Sequence, residues 1–155
     1  MVEKTVSDFE TIPQKQDYWC WAAASQMMQR KYLHNGIEQC QIVSHHFDQD
    51  CCKNPEKFDE EGPLILKGLK YNSTGENKYA SWEKVKDEID NNRAFIISSY
   101  SHYYIVIGYN DDSEKQLIIW DPLPTNAGEK IKKSMEWYQD LKGSQTYYNF
   151  SPTKI

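Results

Sequence analysis

The chain has 155 residues and carries 23 acidic against 18 basic side chains, a formal net charge of −5. That length suits one domain over residues 1–155, and 39% apolar with 14% aromatic content is enough for a packed core, which excludes a disordered chain. The acidic balance excludes a basic nucleic-acid-binding module, no apolar run approaches the ~18 residues of a membrane span, and no signal-peptide pattern opens the chain.

Residues 1–12 are polar and read as an extended lead-in to Pro13. From Cys20 to Leu33 the pattern is helical, because Trp21, Ala24, Met28 and Tyr32 stack on one face and Ala22, Ala23 and Ala24 favour helix. Asn35-Gly36 supplies the stop. A second helix is expected from Ile37 to Phe47, then a polar loop over 48–62. Leu64, Ile65, Leu66 and Leu69 suggest a short helix, and Asn72 to Asn77 a loop. Ser81 reads as the N-cap of a helix from Trp82 to Asn91. The period then changes to that of strands: Ala94 to Ile97, Tyr103 to Tyr109, Gln116 to Trp120 and Gln145 to Phe150, with a helical turn at Trp137 to Leu141. Lys130, Lys132 and Lys133 read as a solvated face. Helices followed by a mostly antiparallel sheet make an α+β fold.

Cys20 is the candidate nucleophile. It stands at the first turn of the best helix, where unpaired N–H groups and the positive dipole end favour a thiolate. A small buried hydrophobe is the plainer account of a lone cysteine. Gln14 lies six residues earlier. A tetrahedral oxyanion needs aimed donors, and a loop glutamine with the Cys20 N–H would supply two. By itself Gln14 is indistinguishable from a surface glutamine.

A thiol also needs a base. His34 ends the first helix, and His45 and His46 fall in a polar stretch. His102 starts a strand. If Asp111-Asp112 is a two-residue hairpin loop, Tyr109 faces Glu114 and His102 faces Asp121. Directly opposed residues share a face with Cβ atoms about 4.5–5.5 Å apart. An aspartate there would fix the imidazole tautomer and stabilise imidazolium.

Together these residues resemble a known group. Gln14, six residues to Cys20-Trp21, then His102 on a strand and Asp121, is similar to the papain clan of cysteine peptidases. The segment Tyr18-Trp19-Cys20-Trp21-Ala22-Ala23-Ala24 resembles small bacterial papain-like peptidases, including secreted effector proteases. The resemblance implies a papain-like α+β fold, with the cysteine helix packed on the sheet. It also implies Cys20 as nucleophile, His102 as general base and acid, Asp121 as orienter and Gln14 as oxyanion donor, with Trp19 and Trp21 flanking the substrate cleft. Two departures stand out: Cys20 and His102 are 82 residues apart, against roughly 130–150 in papain-type enzymes, and the third residue is Asp rather than Asn.

Similar bacterial proteins also carry a Gln-Cys followed by a Cys-Cys in the region of Cys40, Cys51 and Cys52. The resemblance therefore implies a disulfide from Cys40 to Cys51 or to Cys52. Zinc ligands are spaced differently, so no metal is expected, and the chemistry needs no cofactor. The expected substrate is a protein or peptide, the expected state a monomer, and the expected site of action outside a bacterial cell, with the cytoplasm as alternative. Because the clan also holds deamidases and transglutaminases, the same triad is compatible with an effector or toxin of that type. A catalytically idle papain-like binding domain is the rival from another class.

Overall fold

The computed structural model describes residues 3–76, 78–100, 102–112 and 114–153. Its elements are β1 (Glu3–Thr5), α1 (Cys20–Leu33), α2 (Gln39–Phe47), β2 (Leu69–Ser73), α3 (Trp82–Asp90), β3 (Phe95–Ser99), β4 (His102–Asp111), β5 (Lys115–Asp121), β6 (Glu129–Ser134), α4 (Met135–Gln139) and β7 (Gln145–Pro152). Positions 1–2 of the lead-in, Asn77 in the loop after Asn72, Ser101 ahead of the histidine strand and Ser113 in the hairpin turn lie outside the described residues.

The described strands form one sheet in the order β2-β7-β3-β4-β5-β6, and every pairing is antiparallel. β1 pairs with β4 along Asn110 to Gly108, just beyond the stretch that β3 occupies. The lead-in is therefore extended, and part of it is also a strand. Gly108 makes this approach feasible, since a Cβ there would sit 2.5 Å from the Lys4 carbonyl oxygen.

Helix α1 packs on the sheet through Ala23, Ala24, Met27 and Met28, and α3 through Trp82, Val85 and Ile89. The alanines let the α1 backbone come close to the strands. α1 stops at His34, which takes the left-handed conformation (φ 54°) one residue before the expected Asn-Gly stop. α2 begins at a reciprocal capping box, Glu38 with Gln41, so it is shorter than its apolar pattern suggests. Ser81 accepts from Lys84 N (3.1 Å) as the cap of α3.

Two expectations fail for tertiary reasons. Leu64 to Leu69 is not helical: Gly68 has φ +86°, and Leu69 leaves it as the first residue of β2, paired with β7. Asn72, expected in a loop, lies inside that strand. The lysine run belongs to the edge strand β6, where Lys130 and Lys132 are exposed and Lys133 is half-buried, and such charges suit a sheet edge.

Candidate active site

Cys20 is the first residue of α1. Trp19 at the N-cap offers no side-chain acceptor, which leaves the positive end of the helix beside the thiol. The residues around Cys20 hold a strap, 58–62, against the helix start. Tyr18 N donates to Asp59 Oδ1 (2.7 Å), Trp19 Nε1 to the Phe58 carbonyl (2.8 Å) and Trp21 Nε1 to the Glu60 carbonyl (2.9 Å). Gly62 lies against Trp21, where a Cβ would meet the indole at 2.7 Å.

Trp19 and Trp21 are therefore not cleft walls, as their position beside Cys20 suggests. Each is 1% exposed and sits in a small core with Ala22, Ile42, Val43 and Cys51. Burying an indole requires a partner for its N–H, and the strap carbonyls provide it. The tryptophans position the strap, and the strap forms the wall.

His102 opens β4 and Asp121 closes β5. The imidazole Nε2 lies 2.8 Å from Asp121 Oδ1, which also accepts from Leu123 N (3.0 Å). The expected direct opposition of these two residues does not occur. Asp111 pairs with Lys115, Asp112 N donates to Asn110 Oδ1 (3.1 Å), and Ile107 bulges out of register between the Val106–Ile119 and Gly108–Ile118 pairs. His102 and Asp121 meet diagonally instead.

The imidazole is hydrogen-bonded to Cys20 as well as to Asp121. Burial alone would lower its pKa. The interactions with Asp121 and Cys20 outweigh burial and push it up to about 9. The ring is thus an imidazolium at neutral pH. Tyr104 stands perpendicular to it, with ring centroids 4.5 Å apart, and Trp137 backs Tyr104 at 5.6 Å.

Gln14 is close in the chain but differently employed. It does not point into an open cleft, because its side chain is fully shielded. Its Nε2 donates to the carbonyls of Gln16 (2.8 Å) and Asp17 (2.6 Å), and its buried Oε1 has no hydrogen-bond partner among the described residues. The two carbonyls fix which end is the NH2, since an oxygen there would face two acceptors. Its backbone ties the helix lead-in to the segment after β5: Gln14 N donates to the Pro122 carbonyl and the Gln14 carbonyl accepts from Asn126 N.

A cavity of about 240 Å³ opens over the thiol, lined by Asp17, Tyr18, Cys20, Glu61, His102 and Leu123. The remaining histidines are elsewhere, His34 at the end of α1 and His45 and His46 in the last turn of α2.

The family model of the Peptidase_C39 like family matches residues 6–154. The chain belongs to that family. Among solved structures it is similar to the peptidase domain of Streptococcus ComA, a bi-functional ABC transporter involved in a quorum sensing pathway. Identity there is 18% with a TM-score of 0.63, over 94% of this chain and 99% of that one. It is also similar to UfSP from C. elegans, at 13% identity and a TM-score of 0.59, covering 97% of this chain but 34% of that one. These likenesses are of fold, and the fold is that of a papain-like cysteine peptidase. No curated protein matches the chain in sequence.

Within this family frame, the cysteine pairing that the sequence left open is Cys40–Cys52. Cys51 turns inward to the tryptophan cluster, fully buried, with its N–H on Ser44 Oγ (2.9 Å). Burial pushes its thiol up. Among the described residues no group of three or more His, Cys, Asp or Glu is placed to hold a metal, and no helix is long and apolar enough to cross a membrane.

The sequence does not single out Tyr104 or Glu61. Tyr104, which packs edge-on against the imidazole, has a legible signal, being two residues beyond His102 and so on the same strand face. Glu61 carried no signal. It is 41 residues from Cys20, and its placement depends on indole hydrogen bonds that no local pattern reveals.

Proposed function

We propose that the protein is a thiol peptidase acting on peptide or protein substrates. The observation that carries this reading is the His102 ring, bonded at once to Asp121 and to Cys20 on the cleft floor. The Cys20 sulfur attacks the scissile carbonyl carbon and a tetrahedral oxyanion forms. The Cys20 N–H at the helix start supports that oxygen, and Gln14 adds a second donor if its amide turns from one of its two carbonyls. The imidazolium of His102 gives its proton to the leaving amine as the C–N bond breaks. A thioester remains. His102, now neutral, takes a proton from water, hydroxide adds to the thioester, and the acid product leaves with Cys20 restored. Asp121 holds the ring orientation throughout.

The Cys40–Cys52 bond fits a protein that works outside a reducing cytosol, so we include export in the proposal. The test is intact mass after iodoacetamide at pH 6, followed by peptide mapping. The expected result is one adduct, on Cys20, with Cys51 untouched, together with cleavage of a denatured protein substrate that Cys20→Ala abolishes. Labelling of Cys20 no faster than a free thiol would indicate an idle binding domain. Release of ammonia or amine exchange without chain cleavage would indicate a deamidase or transglutaminase on the same residues.

A further inference from the structure

The cleft presents carboxylates as well as the His102 ring. Asp17 and Glu61 line it, and Asp59 and Glu60 flank Glu61 on the strap. Among the described residues, none of these four carboxylates lies in an ion pair. Two of them, Asp17 and Glu61, stand in the lining of the cavity over Cys20 itself.

Their placement is built rather than incidental. Glu61 sits on the strap between Glu60, whose carbonyl accepts from Trp21, and Gly62, which rests on that same indole. Asp17 Oδ1 accepts from Thr125 Oγ1 (2.7 Å), which orients that carboxylate. Beyond Cys20 and His102, the rest of the lining is Tyr18, which is 53% exposed, and Leu123, both of which offer apolar surface. Apolar surface together with carboxylates matches a side chain with an aliphatic stem and a cationic head. No third ligating group stands with them to make a metal site among the described residues.

We propose that the cleft selects peptides with a lysine or arginine beside the scissile bond, Glu61 and Asp17 being the selecting residues. This rests on the thiol peptidase reading and adds its substrate class. The same field repels acidic segments, so the preference has an attractive and a repulsive side.

The test uses peptidyl acyloxymethyl ketones that label the nucleophile, the sulfur displacing the carboxylate leaving group to form a thioether. Probes differ only in lysine, norleucine or glutamate, placed next to the warhead in one set and one residue further in a second. In at least one set lysine should label Cys20 about tenfold faster than norleucine, with glutamate slowest. The lysine advantage should shrink between about 0.05 and 0.5 M salt, as screening requires. Glu61→Gln or Asp17→Asn should reduce the lysine-to-norleucine ratio at least about threefold, and Glu61→Lys should move the preference toward glutamate. Equal lysine and norleucine rates in both sets would overturn the proposal, as would a lysine advantage that survives both neutralising variants. No labelling of Cys20 by any probe would overturn the peptidase reading itself and this inference with it.

Discussion

His102 and Asp121 share a face of the sheet because Ile107 does not pair. Near the hairpin turn, Tyr109 opposes Leu117 and Asp111 opposes Lys115. That register continued without interruption would set Asp121 opposite Ile105, three residues from His102 and on the other face. The bulge at Ile107 shifts the pairing by one, so Ile105 meets Trp120 and Asp121 comes abreast of Tyr104, two residues from His102. The lead-in helps hold the bulge, since Val6 N donates to the Ile107 carbonyl (2.8 Å).

The pairing has a pH signature. His102 titrates near 9 in the fold, raised from 6.5 by Asp121 and Cys20 against the pull of burial. Its charged form therefore contributes stability that is fully present below about pH 6.5 and is lost as pH rises toward 9. In the proposed mechanism the leaving amine needs that proton, so kcat/KM should fall on an alkaline limb near pH 9. Asp121→Asn should keep the fold, lower turnover and move the limb to lower pH. A pH profile of peptide hydrolysis for both proteins checks this, and an alkaline limb unchanged in the variant counts against it.

The register also shows what was legible in the sequence. Apolar period located α1, α3 and the central strands to within a residue or two, because their buried faces are continuous. Cys20, His102 and Asp121 are nominated by residue type and by helix or strand position, and the fold brings the His102 ring to the Asp121 carboxylate. The direct opposition of His102 and Asp121 was not correct, since a bulge leaves no mark in a run such as Ile105-Val106-Ile107-Gly108. β1, β2 and β6 were missed because they are short, polar and defined by the strand beside them. Trp19 and Trp21 are expected in the cleft through adjacency to Cys20, yet both rings turn into the small core with Ile42, Val43 and Cys51.

The tryptophans' role in holding the strap predicts a division between affinity and chemistry. Trp21→Phe keeps most of the buried ring but removes the N–H that satisfies the Glu60 carbonyl. The cost should be about 1–3 kcal/mol for the unpaired carbonyl. With the strap loosened, KM should rise several-fold while Cys20 alkylation stays near its normal rate. Denaturant unfolding and steady-state kinetics on one preparation test both parts, and an unchanged KM would show that the strap does not bind substrate.

The Cys40–Cys52 bond closes a short loop, with a sequence separation of 12. Loop-closure entropy for such a length is worth about 2–4 kcal/mol. Replacing both cysteines by serine should lower Tm by roughly 2–4 °C per kcal/mol lost. Activity well below Tm should survive, because Cys51, Ile42 and Val43 still pack under Trp19 and Trp21. Loss of activity at temperatures where the variant remains folded would instead tie the bond to the site.

Gln14 separates a catalytic from a purely structural account most cleanly. Its NH2 is held by the carbonyls of Gln16 and Asp17, and its side chain is fully buried. Gln14→Ala should therefore destabilise the protein by about 1–3 kcal/mol, since two carbonyls of the helix lead-in lose a donor. If Gln14 also turns to meet the oxyanion, turnover should fall by about 10²–10³ beyond any unfolding. Alkylation by iodoacetamide distinguishes the two, because that displacement forms no oxyanion. A Gln14→Ala variant that is folded at the assay temperature, alkylates Cys20 at a normal rate and hydrolyses peptides some hundredfold more slowly has lost an oxyanion donor. If alkylation and hydrolysis decline together, Gln14 acts by holding Asp17 and the start of α1 in place. If the folded variant hydrolyses at full rate, Gln14 has no part in the chemistry and the oxyanion depends on the Cys20 N–H.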